Sequence, residues 1–161
     1  KGKPYPIGLP ECGLGLLPRW GGTQMLPARI DPFTAIQSII GGTTSMSDAP
    51  PVGLLDAVVD APEEIEPAAI EWIRSNPDVM RTDGVPRCLG HKHPGAMQSA
   101  MERIHAEKIE TPEYEAVMGA IQTGLDDGFQ AALLAEQRHL VALRSTEHTR
   151  ARLEAFFAKQ G

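Results

Sequence analysis

The chain has 161 residues, 42% apolar and 22% charged, with a formal net charge of −6 and a pI of about 5.3. That length suffices for one domain with a real core, and the acidic balance argues against a main role on nucleic-acid backbones, which need clustered Lys and Arg. No apolar run approaches the roughly 20 residues of a membrane span, no secretory signal follows Lys1-Gly2-Lys3-Pro4-Tyr5-Pro6, and two cysteines, Cys12 and Cys88, make no disulfide framework, so a reduced, cytoplasmic setting is expected.

The first 27 residues hold 11 of the 30 glycines and prolines. Such interruption forbids a long helix and suggests one short strand plus irregular backbone that passes close to something. With no initiating Met ahead of this stretch, the sequence reads as if cut from a longer chain. Thr23 is placed to cap a short helix ended by Pro27. Asp31-Pro32 is a second helix start, followed by Phe33, Ile36, Ile39 and Ile40 at helical spacing and stopped by Gly41-Gly42. Residues 52–59, with Leu54, Leu55, Val58 and Val59, are expected as a short buried strand or turn-strand. Pro62-Glu63-Glu64 opens a helix with Ile65, Ala69, Ile70, Trp72 and Ile73 on its apolar side, stopped at Asn76-Pro77. Loop-like residues 77–95 follow.

An amphipathic helix is expected over 96–110, carrying Met97, Ala100, Met101 and Ile104. Thr111-Pro112-Glu113 is a strong helix start. From there an apolar stripe runs through Val117, Met118, Ile121, Leu125, Phe129, Leu133, Leu140 and Leu143. Ser145-Thr146-Glu147 breaks and recaps it, and Leu153, Phe156 and Phe157 close the last helix. His139 and His148 are expected on helix surfaces. Residues 1–60 are thus mixed and residues 61–161 nearly all helical. The few strands are too few for an independent sheet.

Residues 9–27 carry the chemistry. They read Leu-Pro-Glu-Cys-Gly-Leu-Gly-Leu-Leu-Pro-Arg-Trp-Gly-Gly-Thr-Gln-Met-Leu-Pro. This resembles the crotonase-family signature Pro-Glu-x-x-x-Gly-x-x-Pro-x-x-Gly-Gly-Thr-Gln-x-Leu. The match covers Pro10, Glu11, Gly15, Pro18, Gly21, Gly22, Thr23, Gln24 and Leu26 without a gap. Downstream, Ala49, Gly53, Leu54, Leu55, Asp56 and Val58 fit the family's Ala-x-x-x-Gly-Leu-Val-Asp-x-Val. The C-terminal helices more loosely resemble the domain of multifunctional beta-oxidation proteins.

The resemblance implies an α/β crotonase-like fold, of which this chain is the C-terminal part: residues 1–60 from the core with the signature, residues 61–161 a helical region for packing and oligomerisation. It implies an enoyl-CoA hydratase of fatty-acid beta-oxidation, adding water to 2-enoyl-CoA, with no cofactor beyond the CoA thioester that is its substrate. Negative charge then builds on the thioester oxygen, and a carboxyl group must exchange a proton with the alpha carbon. Glu11 takes that role. It is the sole acid between Lys1 and Ile30 and is flanked by Leu9, Pro10, Cys12 and Leu14, the apolar setting that suits a carboxylic proton donor. Leu16, Arg19, Trp20 and Gly21 are implied substrate-binding residues.

The family's second glutamate and its oxyanion donors match nothing in this chain, so the isolated chain is expected to be inactive until the N-terminal half of the domain joins it. Two alternatives stand beside this reading: an enoyl-CoA isomerase working with one glutamate, and a non-catalytic helical oligomerisation fragment. Self-association as a trimer or hexamer is implied by the resemblance. Arg19 departs from the family, which usually has glycine there, and Pro50-Pro51 departs from a helix the family usually keeps. Trp20 either walls the acyl pocket or simply packs. Cys88-Leu-Gly-His91-Lys-His93 has some metal-like spacing but lacks a fourth ligand nearby, and a solvated loop is the plainer reading. Lys92 and Arg87 have only their charge to suggest CoA phosphates.

Overall fold

A computed structural model of the chain describes residues 6–42, 50–77 and 94–159. A 3₁₀ turn, Glu11–Leu14, precedes seven helices among the described residues: α1 (Gly22–Arg29), α2 (Pro32–Ile40), α3 (Ile65–Ser75), α4 (Pro94–His105), α5 (Pro112–Asp127), α6 (Phe129–Leu143) and α7 (Glu147–Ala158). The molecule is therefore mostly helical, as expected after residue 60. The sheet half of an α/β architecture has no counterpart among the described residues.

Local chemistry explains most boundaries. The Asp31 carboxylate accepts from Thr34 N at 2.9 Å and Thr34 Oγ1 at 2.8 Å, Pro32 fills the first helical position, and α2 stops at Gly41. Those hydrogen bonds, backbone first, lower the Asp31 pKa below the usual carboxylate value. The Thr111 hydroxyl caps α5 through Tyr114 N, and that of Thr146 caps α7 through Thr149 N at 3.1 Å.

Several expectations are corrected. Helix α1 does not stop at Pro27; it runs on to Arg29 with Pro27 buried inside it. One missing backbone donor is tolerated because the ring packs in the core, and Ile30 N regains a bond to Leu26 O at 3.1 Å. Thr23 is no cap, since its side chain is used elsewhere. Among the described residues the short strand expected near the N-terminus is reduced to a single bridge residue, Ile7, ahead of the 3₁₀ turn. Residues 52–59 form no buried strand but turns and bends, with Val52 97% exposed. Pro51 lacks a donor, Gly53 sits at a φ of 92°, and among the described residues no neighbouring strand offers a ladder. The helix expected to reach residue 110 ends at His105. The stripe from Val117 to Leu143 is two helices rather than one, because Gly128 adopts φ 87°, ψ 177° between them.

Helices α5 and α6 fold back on each other across that glycine, with Gly119 opposite His139, and make the most extensive helix pair of the fold. Helix α1 lies against α2 and α5, and α2 against α4. The shared core contains Leu17, Ile36, Ile39, Met97, Ile104, Val117 and Ile121. Among the described elements, helix α3 contacts mainly the 3₁₀ turn Pro62–Glu64 that leads into it; its apolar residues share a cavity of about 390 Å³ with Asp56, Ala57 and Val59, and none of its residues is buried. An Arg29–Asp56 ion pair of 2.8 Å between two exposed side chains ties the preceding segment to α1.

Candidate functional site

The signature residues form two joined pieces. The first is the turn that carries Glu11. Gly13 N bonds Pro10 O, Gly15 N bonds Cys12 O and Leu16 N bonds Glu11 O, all within 3.0 Å. Gly15 closes the turn at φ 75°, where a Cβ would also press on Thr149 at 3.1 Å. This tight winding leaves Glu11 half-buried, and its Oε2 is buried without a hydrogen-bond partner among the described residues. A buried carboxylate oxygen left unpaired costs about 1–3 kcal/mol, and Gln24 Oε1 and Glu113 Oε2 share that condition among the described residues.

Beside it, Cys12 is 1% exposed. Burial first, then the charges of Glu113 and Glu11, push its thiol up to about 12, against the opposing pull of Arg152. Cys12 is thus a protonated packing residue and no nucleophile at neutral pH.

The second piece is the start of α1. Glu136, on α6 and 0% exposed, accepts from Gly21 N at 2.8 Å, Thr23 N at 3.0 Å and Thr23 Oγ1 at 2.6 Å. The carboxylate takes two donors that a helix start otherwise leaves unsatisfied, and its charge suits the positive end of the helix. Gln24, also buried, reaches from Nε2 to Thr23 Oγ1 at 2.9 Å and to Ala120 O at 3.0 Å. Its side chain lies directly on Gly124, where any Cβ would collide with it.

The residues expected to bind substrate separate. Leu16 is half-buried against the core. Gly21 is buried and its N–H is committed to Glu136. Arg19 and Trp20 are exposed and come together in a cleft of about 530 Å³, floored by Met25, Phe129, Leu133 and Leu134. Trp20 is 80% exposed and held at a φ of 62°, a region that non-glycine residues rarely occupy. The lining of that cleft includes neither Glu11, Leu16 nor Gly21.

Four residues tied to this site escaped sequence reasoning: Glu113, Glu136, Thr149 and Arg152. Glu136 had a signal, because it falls on the same α6 face as Phe129, Ala132 and Leu143, an acid inside an apolar stripe. Glu113 reads as an ordinary first-turn acid but is buried, with Arg152 Nη2 at 3.4 Å and His148 Nε2 at 3.1 Å. That single ring nitrogen also lies 3.1 Å from Arg152 Nε. Arg152 Nε donates to that nitrogen. His148 is therefore part of a network, not the plain surface residue expected, and His139 is half-buried.

Among the described residues no cluster of His, Cys, Asp and Glu could hold a metal ion, and no helix is long and apolar enough to cross a membrane. Cys88, His91, His93, Arg87 and Lys92 lie outside the described residues. No family model matches the chain.

Proposed function

We propose that this chain is the C-terminal half of a crotonase-type hydratase domain, in which Glu11 exchanges a proton with the alpha carbon of a 2-enoyl-CoA thioester. The observation that carries the proposal is the unpartnered, buried Glu11 Oε2 in a turn built by the nine-position sequence match. A carboxyl oxygen with no hydrogen-bond partner among the described residues is available to meet a substrate carbon, and partial burial keeps competing water away. Hydration needs a second carboxyl and two donors for the thioester oxygen. In this reading they come from the N-terminal half of the domain, outside these 161 residues. The same reading carries self-association through the C-terminal helices and a cytoplasmic setting. Exposed Leu134, Val141, Phe156 and Phe157 are consistent with the former.

The isomerase reading is favoured by one observation. Glu136 uses both oxygens on Gly21 and Thr23, and Glu113, whose Oε2 also lacks a hydrogen bond, is paired through Oε1 with Arg152. Glu11 has no ion-pair partner among the described residues, and one such carboxyl is enough to shuttle one proton between two carbons.

The test is turnover of crotonyl-CoA, and of a 3-enoyl-CoA for the isomerase. The chain alone should be inactive. Together with an N-terminal crotonase half it should turn over, and Glu11→Gln should lower kcat by about 10²-fold or more. Unchanged kcat in the Gln variant overturns the role given to Glu11.

A further inference from the structure

We infer that Thr149 and Arg152 of α7 are positioning residues for Glu11, gripping the turn that carries it from the far end of the sequence. The inference rests on the proposed role of Glu11 and extends it to residues that the signature match does not include. Thr149 is fully buried, and its Oγ1 donates to Gly15 O at 2.7 Å. Arg152 Nη1 donates to Gly13 O at 3.3 Å. The two carbonyls belong to the two glycines of the turn, residues that by themselves allow it the most backbone freedom.

The grip is itself anchored. The same Arg152 guanidinium faces the buried Glu113 carboxylate of α5, and His148 stands beside both. Thr149 has a second restraint, since its backbone N–H and its hydroxyl both meet Thr146 Oγ1 at the start of α7. From the other side, Gly42 at the end of α2 packs directly on the backbone of Gly13. The turn is thus held between α2 and α7, and the only long-range side-chain hydrogen bonds recorded to its carbonyls among the described residues come from α7. A carboxyl that must reach one carbon atom needs its backbone fixed to within about 0.5 Å, and these two donors supply that restraint.

Cys12 reports on the grip, being adjacent to Glu11, buried, and near enough to Glu113 and Arg152 to feel their charges. In a Cys88→Ser background of the 161-residue chain, labelling of Cys12 by an aromatic disulfide reagent should be slow. Thr149→Val keeps the volume and removes the hydroxyl; it should raise the labelling rate about tenfold, as expected for easier local opening. Thr149→Ser, which keeps the hydroxyl, should restore protection. Arg152→Lys, which keeps a positive charge for the buried Glu113 but loses the planar fork that also reaches Gly13 O, should raise the rate severalfold and serves if the Val variant loses its far-ultraviolet helical signal. Unchanged labelling in both overturns the grip.

With the N-terminal half present, Thr149→Val should lower kcat about tenfold at unchanged KM for crotonyl-CoA, with Ser rescuing it. Faster labelling with normal kcat overturns the positioning role. If Glu11→Gln itself leaves turnover intact, the catalytic reading is what fails, and the labelling rates still decide whether α7 holds the turn.

Discussion

Helix α2 buries Ala35, Ile36 and Ile39 completely, whereas α3, also amphipathic and carrying Ile65, Ile70, Trp72 and Ile73, buries nothing. Both are written with apolar residues at helical spacing, and both start from a proline at or just before the first turn. The difference lies in what each face meets. Helix α2 is sandwiched by α1 and α4, while among the described helices and turns α3 contacts mainly its own leading turn. An Ile side chain left in water forgoes about 1.5–3 kcal/mol of burial, so the apolar pattern states what a helix needs and not what it receives.

That comparison is breakable by mutation, and the largest effect is expected at its core side. Ile36→Ala should cost about 3 kcal/mol or more by leaving a cavity, against less than about 0.5 kcal/mol for Ile73→Ala, both read by urea unfolding of the isolated chain. A large loss at Ile73 would mean that α3 is buried in solution and the contrast is gone.

A smaller effect is expected where the signature meets α6. Glu136→Gln replaces one acceptor oxygen by an amide group facing a donor, and should cost about 2 kcal/mol. If stability holds within error, Glu136 is not what anchors the start of α1.

The smallest effect sharpens the comparison through pH. Burial first, and Arg138 second, lower the His139 pKa below its ordinary value of 6.5. The folded state then binds this proton less readily than the unfolded chain. Stability from the neutral ring is intact above the ordinary value and declines as pH falls through it. The Tm should drop modestly between about pH 7.5 and about pH 5.5, and His139→Gln should flatten the slope. Residues 50–77 contain no histidine, so hydrogen exchange in α3 should not follow this change; a parallel response there would show that the two regions are energetically joined.

Much of the fold was legible because caps are local. Asp31-Pro32, Thr111-Pro112 and Ser145-Thr146-Glu147 announce α2, α5 and α7 by side chains that reach only three residues. Gly128 was legible only in hindsight, since one glycine inside an apolar stripe is tolerated as readily as it breaks a helix. Residues 52–59 misled because short apolar runs fit a strand equally well, and strands need a neighbour that local sequence does not reveal. At the site, Glu11 was readable from its motif, but its unpaired oxygen was not. The partition of Arg19 and Trp20 into a cleft whose lining omits Glu11 also had no local signal.

The sequence by itself determined where α2, α5 and α7 begin, and which acid stands in the glycine-rich turn, because capping side chains and prolines act through bonds a few residues long. Only the tertiary structure decided that Glu136 is spent on Gly21 and Thr23, that Glu113 holds Arg152, and that α7 reaches back to the turn of Glu11. These contacts span more than a hundred residues of chain or join separate helices, and their energy depends on burial and distance, which exist only once the helices have packed.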